Sequence, residues 1–181
     1  MRAAMAAAVT RPPVAVVDSR TLGRASMVEI DEFLSLDRML LTLRSGSKRQ
    51  LFQELASVAA ASTGLEAATI LAALNQREKL GTTGIGEGIA IPHARVPNLP
   101  KLMGFFARLA TPVEYDALDD APVDLVFLLL APEEASTVQL KALARIARLL
   151  RDPEICARLR SEQDPQQIFA LLTGRAPGAA A

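Results

Sequence analysis

A single histidine, a single cysteine and no excess charge of either sign leave this 181-residue chain few ways to do chemistry. One cysteine, Cys156, excludes a disulfide framework within the chain and fits a reducing, cytoplasmic setting. A bound transition metal asks for three or four nitrogen, sulfur or oxygen ligands, and the only histidine, His93, lies in a different segment from Cys156; no metal is expected. Twenty basic residues balance twenty acidic ones, so the chain as a whole has no electrostatic reason to seek nucleic acid or an anionic membrane. The longest apolar run, Leu125-Val-Phe-Leu-Leu-Leu-Ala131, is far too short to cross a bilayer as a helix. There is no Gly-x-Ser-x-Gly elbow for a nucleophilic serine. The glycines at 81, 84, 86 and 88 match neither the dinucleotide fingerprint nor the P-loop, and they lead into Ile89-Ala-Ile-Pro, which reads as a strand with no helix start behind it. Direct ATP or NAD binding is disfavoured, and no cofactor is expected.

Half of the residues are hydrophobic, enough for one well-filled core at this length. Residues 1–26 are rich in Ala and Arg, contain Pro12-Pro13 and lack an apolar signal region, so they read as a poorly ordered extension with Met27 as an alternative start. Residues 175–181 read as a short flexible tail. Between them helix and strand signals alternate. Ser47-Lys-Arg-Gln50 has capping-box form and opens a helix to about Ala61, with Leu51, Leu55, Val58 and Ala59 on one face. A second helix is predicted from Leu65 or Glu66 to Leu80, with Ile70, Leu71 and Leu74 inward and Gly81 as terminator. Strands are predicted at about Gly88–Val96, Leu102–Leu109, Pro112–Tyr115 and Val123–Leu130, the last apolar on both faces as in a sheet covered on both sides. Ser136–Arg151 reads as an amphipathic helix with Leu140, Leu143, Ala147 and Leu150 on its stripe. Asp152-Pro153 and Asp164-Pro165 each pair an N-cap with a proline at the first helical position and predict two closing helices. The order fits a single three-layer α/β domain, a mixed sheet with helices on both faces.

His93 ends the run Gly81-Thr-Thr-Gly-Ile-Gly-Glu-Gly-Ile-Ala-Ile-Pro-His93 and has Arg77 and Arg95 near it in sequence. A neutral imidazole offers one nitrogen lone pair near pH 7, so it can act as base or nucleophile. Glycine amides, the hydroxyls of Thr82 and Thr83 and a guanidinium are suitable equipment for holding a phosphoryl group. The same glycines also read as a tight helix-to-strand turn, Arg77 as a cation suited to a helix C-terminus, and His93 as a hydrogen-bonded rim residue. Composition alone leaves these alternatives open.

The stretch Arg77-Glu-Lys-Leu-Gly-Thr-Thr-Gly-Ile-Gly-Glu-Gly-Ile-Ala-Ile-Pro-His-Ala-Arg95 closely resembles the active-site signature of enzyme IIA proteins of the mannitol/fructose class, from the bacterial phosphoenolpyruvate phosphotransferase system. Pro122–Pro132 and Leu140–Leu150 are similar to later segments of that family, and the resemblance spans residues 27–174, most like its nitrogen-regulatory branch. It implies that His93 accepts a phosphoryl group at Nε2 from a histidine phosphocarrier protein, that Arg77 lies against it, and that Thr82, Gly84, Ile85, Gly86 and Gly88 form the loop that holds phosphate. Family members commonly carry a second histidine where this chain has Gln139, which can donate an amide hydrogen bond to phosphate but carries no proton or charge. The implied partners are the phosphocarrier and regulated transporters or sensor kinases, with no nucleic acid and no membrane insertion. The alternative is a IIA component of sugar uptake that passes phosphate to a IIB protein; with no fused IIB or IIC segment in view and Gln139 in place, the regulatory role is the expectation.

Overall fold

The computed structural model describes residues 28–175. The expected extension, 1–26, lies outside the described residues, and so does the tail beyond Arg175.

Each helix starts where local chemistry satisfies its first amides. In α1, Lys48–Thr63, the Ser47 hydroxyl accepts from the Gln50 amide at 3.2 Å. The Gln50 side chain reaches back to the Gly46 amide at 3.0 Å, one residue further out than a standard capping box. α2 spans Ala67–Glu78 and stops two residues short of the predicted Leu80, because the Leu80 and Gly81 amides turn tightly onto the carbonyls of Arg77 and Glu78, both at 3.1 Å. α3 is Ser136–Leu150, α4 Pro153–Ser161 and α5 Pro165–Thr173. Asp152 caps α4 through the Glu154 amide at 2.9 Å, and Asp164 caps α5 through the Gln166 amide at 2.9 Å, each followed by the predicted proline.

Six strands form one mixed sheet: β1 Met39–Leu43, β2 Gly84–Gly86, β3 Ile89–Ala90, β4 His93–Val96, β5 Met103–Val113 and β6 Val123–Pro132. The order is β1-β5-β6-β3-β2, with β4 also pairing with β6. β5 and β6 are antiparallel, whereas β1 runs parallel to β5, and β3 and β4 both run parallel to β6. The strand predicted over 88–96 is thus two strands laid end to end along β6, Ile89–Ala90 against Leu125–Val126 and His93–Val96 against Leu129–Pro132. Pro92, which has no amide hydrogen to give a ladder, sits in the break, while its carbonyl still accepts from Leu129 at 3.0 Å. The two strands predicted at 102–109 and 112–115 merge into β5, whose register slips between Arg108 and Val113.

Alternation along β6 builds both layers. Val126, Leu128 and Leu130 enter a core shared with α1 and α2, while Leu125, Phe127 and Leu129 enter a second core shared with α3, α4 and α5. All six are fully buried, as predicted for a central strand covered on both faces. One predicted face is corrected. Leu140 was expected inward but is 66% exposed, and the inward stripe of α3 is Gln139, Ala142, Ile146 and Leu150, with Leu143 and Ala147 half-buried beside it. A rotation of less than one residue of helix, under about 100°, separates the two readings, and Leu150 faces inward in both. It puts an amide rather than an isobutyl group beside β4. Among the described residues no helix is long and apolar enough to cross a membrane.

Candidate functional site

β4 lies on the side of the sheet where the two helix layers meet: α2 packs with one core and α3 with the other. His93 is the first residue of β4, half-buried, and both of its ring nitrogens are engaged. Nδ1 lies 2.8 Å from the Ile91 carbonyl oxygen, which can only accept. Nε2 lies 3.0 Å from Arg77 Nε, which can only donate. These partners select one neutral tautomer. Nδ1 carries the hydrogen and donates it to Ile91, and Nε2 presents a lone pair to Arg77.

Arg77 reaches His93 from the last turn of α2 and also donates through Nη1 to the Gly81 carbonyl at 2.9 Å. From the opposite layer Gln139, 5% exposed, accepts from Arg95 Nε at 3.1 Å, so the amide oxygen is committed to Arg95. His93, Arg77, Arg95 and Gln139 line one cleft of about 490 Å³, with Leu80 and Leu140 also on its wall. Those two leucines are 82% and 66% exposed and give the cleft an apolar rim. The periodicity of the sequence missed this rim, because it assigned Leu140 to the core and ended α2 at Leu80.

The glycine loop adjoins the cleft, its Gly81 carbonyl accepting from Arg77 and its Thr83 carbonyl from the Ile91 amide. Thr82, Gly84, Ile85, Gly86 and Gly88 are not among the residues lining the cleft. Thr82 accepts the Gly84 amide on its hydroxyl at 3.1 Å, and Gly84 packs against Ala117 and Tyr115. Ile85 is 36% exposed. Gly86, at φ +97°, lies against the carboxylate of Asp119, which accepts the Glu87 amide at 2.8 Å. Gly88, at φ +78°, leaves no room for a β-carbon, which would stand 2.8 Å from both Asp124 Oδ1 and Arg160 Nη2. Of the residues expected to hold a phosphoryl group, the structure gathers His93, Arg77 and Gln139 and adds Arg95. The loop residues build β2 and its turn into β3.

Burial holds the His93 imidazolium below its ordinary value of 6.5; the Ile91 carbonyl opposes this and the Arg77 charge adds to it. The unfolded chain therefore binds the proton first. The stability His93 contributes is full above pH 6.5 and is lost as pH falls through its depressed folded value. Because His93 is the only histidine, an NMR titration of the imidazole reads it directly. The expected midpoint lies below 6.5 with a single Nδ1–H tautomer above it. A midpoint at or above 6.5, or a tautomer mixture, contradicts the geometry.

Residues 32–174 match the family described as phosphoenolpyruvate-dependent sugar phosphotransferase system, EIIA 2. A nitrogen regulatory protein of Bradyrhizobium diazoefficiens is 50% identical over 143 residues, covering 79% of this chain and 94% of that protein. A nitrogen regulatory protein of Pseudomonas aeruginosa is 37% identical over 147 residues, 81% of this chain and 96% of that protein. The crystal structure of nitrogen regulatory protein IIA-Ntr from Neisseria meningitidis superposes with a TM-score of 0.77 at 37% identity, covering 80% of this chain and 99% of that one.

Proposed function

The chain belongs to the EIIA 2 family of the phosphoenolpyruvate-dependent phosphotransferase system, and from that premise we propose that His93 accepts a phosphoryl group at Nε2 from a histidine phosphocarrier protein. The observation that carries the reading is the pair of contacts on the ring. They leave Nε2 as the nitrogen with a lone pair, at an accessible cleft, with a guanidinium already on it. As the Nε2–P bond forms, the P–N bond to the carrier breaks and its electron pair stays on the carrier's imidazole. The Nδ1–H remains on the Ile91 carbonyl, whose oxygen favours the positive ring that results. Arg77 must release Nε2 as phosphorus arrives, and its donors then turn to the phosphoryl oxygens. Gln139 adds an uncharged amide donor on the opposite wall, held by Arg95. Thr82 and Gly84–Gly88 flank the site, the Thr82 hydroxyl holding the Gly84 amide, and remain the loop proposed to supply amides to the phosphoryl group.

The reading extends to regulation. Phosphorylation adds about −1.5 to −2 charges at neutral pH inside a rim made of Leu80 and Leu140. A partner that seats on the apolar rim of one form meets a desolvated dianion in the other. The strong likeness to proteins named nitrogen regulatory protein supports a regulatory role rather than sugar uptake, and the reading is completed by a cytoplasmic phospho-switch acting on transporters or sensor kinases. Incubation with phosphoenolpyruvate, the first enzyme of the system and the carrier should transfer one acid-labile phosphoryl group. No label would overturn the reading. Rapid onward transfer to a purified IIB protein would replace the regulatory role with sugar uptake.

A further inference from the structure

Arg77 and Glu78 are consecutive, so their side chains leave α2 about 100° apart. Arg77 goes to His93. Glu78 goes inward to a half-buried network in which its carboxylate accepts from Lys48 Nζ at 2.8 Å, the Thr83 amide at 3.0 Å and the Thr83 hydroxyl at 2.7 Å. The Thr83 hydroxyl also meets the Tyr115 hydroxyl at 2.8 Å. Lys48 in turn donates to the Tyr115 carbonyl at 2.7 Å and lies 4.5 Å from the centre of its ring. Burial alone would push the Glu78 carboxyl up, but the bonds from Lys48 and Thr83 outweigh it and hold the group below its ordinary range, so it is ionised at neutral pH.

The network reaches His93 from both sides. On one side Glu78 fixes the last turn of α2, from which Arg77 projects onto Nε2. On the other it pins Thr83, whose carbonyl accepts the Ile91 amide at 2.9 Å, and Ile91 presents the carbonyl that accepts Nδ1–H. We propose that Glu78 is a positioning residue for phosphoryl acceptance: by clamping Thr83 and the end of α2 together it sets both hydrogen bonds of the His93 ring, with Lys48 as its counter-ion. The inference rests on His93 being the acceptor. Glu78 touches no reacting atom. It acts by keeping Nε2 free of hydrogen and aimed into the cleft, and a displaced ring is worth at least about tenfold in rate.

The test uses the full chain with Glu78→Gln and, since the first variant removes a buried charge, Thr83→Val as the milder second. Two readouts are taken: the tautomer state of the single imidazole by nitrogen NMR, and the initial rate of phosphoryl uptake from the carrier. The expected result is a mixture of Nδ1–H and Nε2–H tautomers in Glu78→Gln with a rate loss of at least about tenfold, and a smaller change of both in Thr83→Val. A single Nδ1–H tautomer with wild-type rate in the folded variants overturns the proposal, even if they are less stable. If Glu78→Gln does not fold, Thr83→Val decides by the same two readouts. Failure of the wild type to take label overturns the acceptor reading itself, and the tautomer readout still tests the clamp.

Discussion

His93→Ala is expected to take up no label from phosphoenolpyruvate through the carrier while remaining folded. The loss should be complete because no neighbouring group can take over. Among the described residues the cleft contains guanidinium, amide and alkyl groups but no second imidazole, carboxylate or thiol. The one thiol, Cys156, is buried in the core on the α3 side, donates to the Leu150 carbonyl at 3.2 Å, and has its ionisation pushed up by burial. The Thr83 hydroxyl is occupied by Glu78 and Tyr115. The stability loss should be modest, about 1–2 kcal/mol, since the half-buried ring forfeits its hydrogen bonds to Ile91 and Arg77 and Arg77 is then free to be solvated. Circular dichroism and a urea melt of the variant check the fold, and gel autoradiography with labelled phosphoenolpyruvate checks the chemistry. Label retained in a folded His93→Ala protein would mean that another side chain is the acceptor.

How far the site could be read from the sequence depended on whether the controlling interaction was local. Ser47, Asp152 and Asp164 cap helices within three residues of themselves, so α1, α4 and α5 were legible at their starts. β1 was not predicted, because Met39–Leu43 is a strand only by pairing with Phe106–Leu109, far along the chain. β2 reads as a loop in the sequence, since Gly84-Ile-Gly86 has glycines where strands usually carry branched residues. Its partners Ala90 and Ile89 supply the order that its own residues lack. His93 and Arg77 were recognisable from the signature, but the tautomer was not, because it depends on a carbonyl at Ile91 and a guanidinium from another layer. Glu78 carried a weak signal, its place beside Arg77. Lys48 and Tyr115 carried none, for each meets Glu78 or Thr83 only in the folded chain. The opposite error occurred at Leu140, where a good apolar period predicted burial and the true stripe was set by Gln139 meeting Arg95.

Arg108→Met is expected to lower stability by about 3 kcal/mol, or roughly 6–12 °C in melting temperature for a domain of this size, the largest loss among the polar contacts. Arg108 lies in β5 at 9% exposure and passes its guanidinium under the C-terminus of α4. Nη1 donates to the Leu159 carbonyl at 2.8 Å and to those of Arg160 and Glu162, while Nε donates to the Leu41 carbonyl of β1 at 3.2 Å. The three at 159, 160 and 162 are carbonyls at the C-terminal end of α4, where a cation also complements the helix dipole. Methionine fills much of the volume but leaves one buried and three part-buried acceptors without their donor, and that is the larger part of the loss. A urea-denaturation difference under about 1 kcal/mol would show that water replaces the guanidinium at little cost. The same variant separates scaffold from site. α4 also supplies Arg160, which bonds Asp124 at 2.8 Å and the Glu87 carbonyl at 2.8 Å, so a loosened α4 loosens the turn at Gly88. The ring of His93 is held instead by hydrogen bonds with Arg77 and the Ile91 carbonyl and by those of the Glu78 clamp, none of which is made by a residue of α4. Phosphoryl uptake well below the melting temperature should therefore match wild type. A folded Arg108→Met protein that accepted phosphate about ten times more slowly, a loss of transition-state binding of about 1.4 kcal/mol, would place the Gly84–Gly88 loop among the groups that hold phosphate.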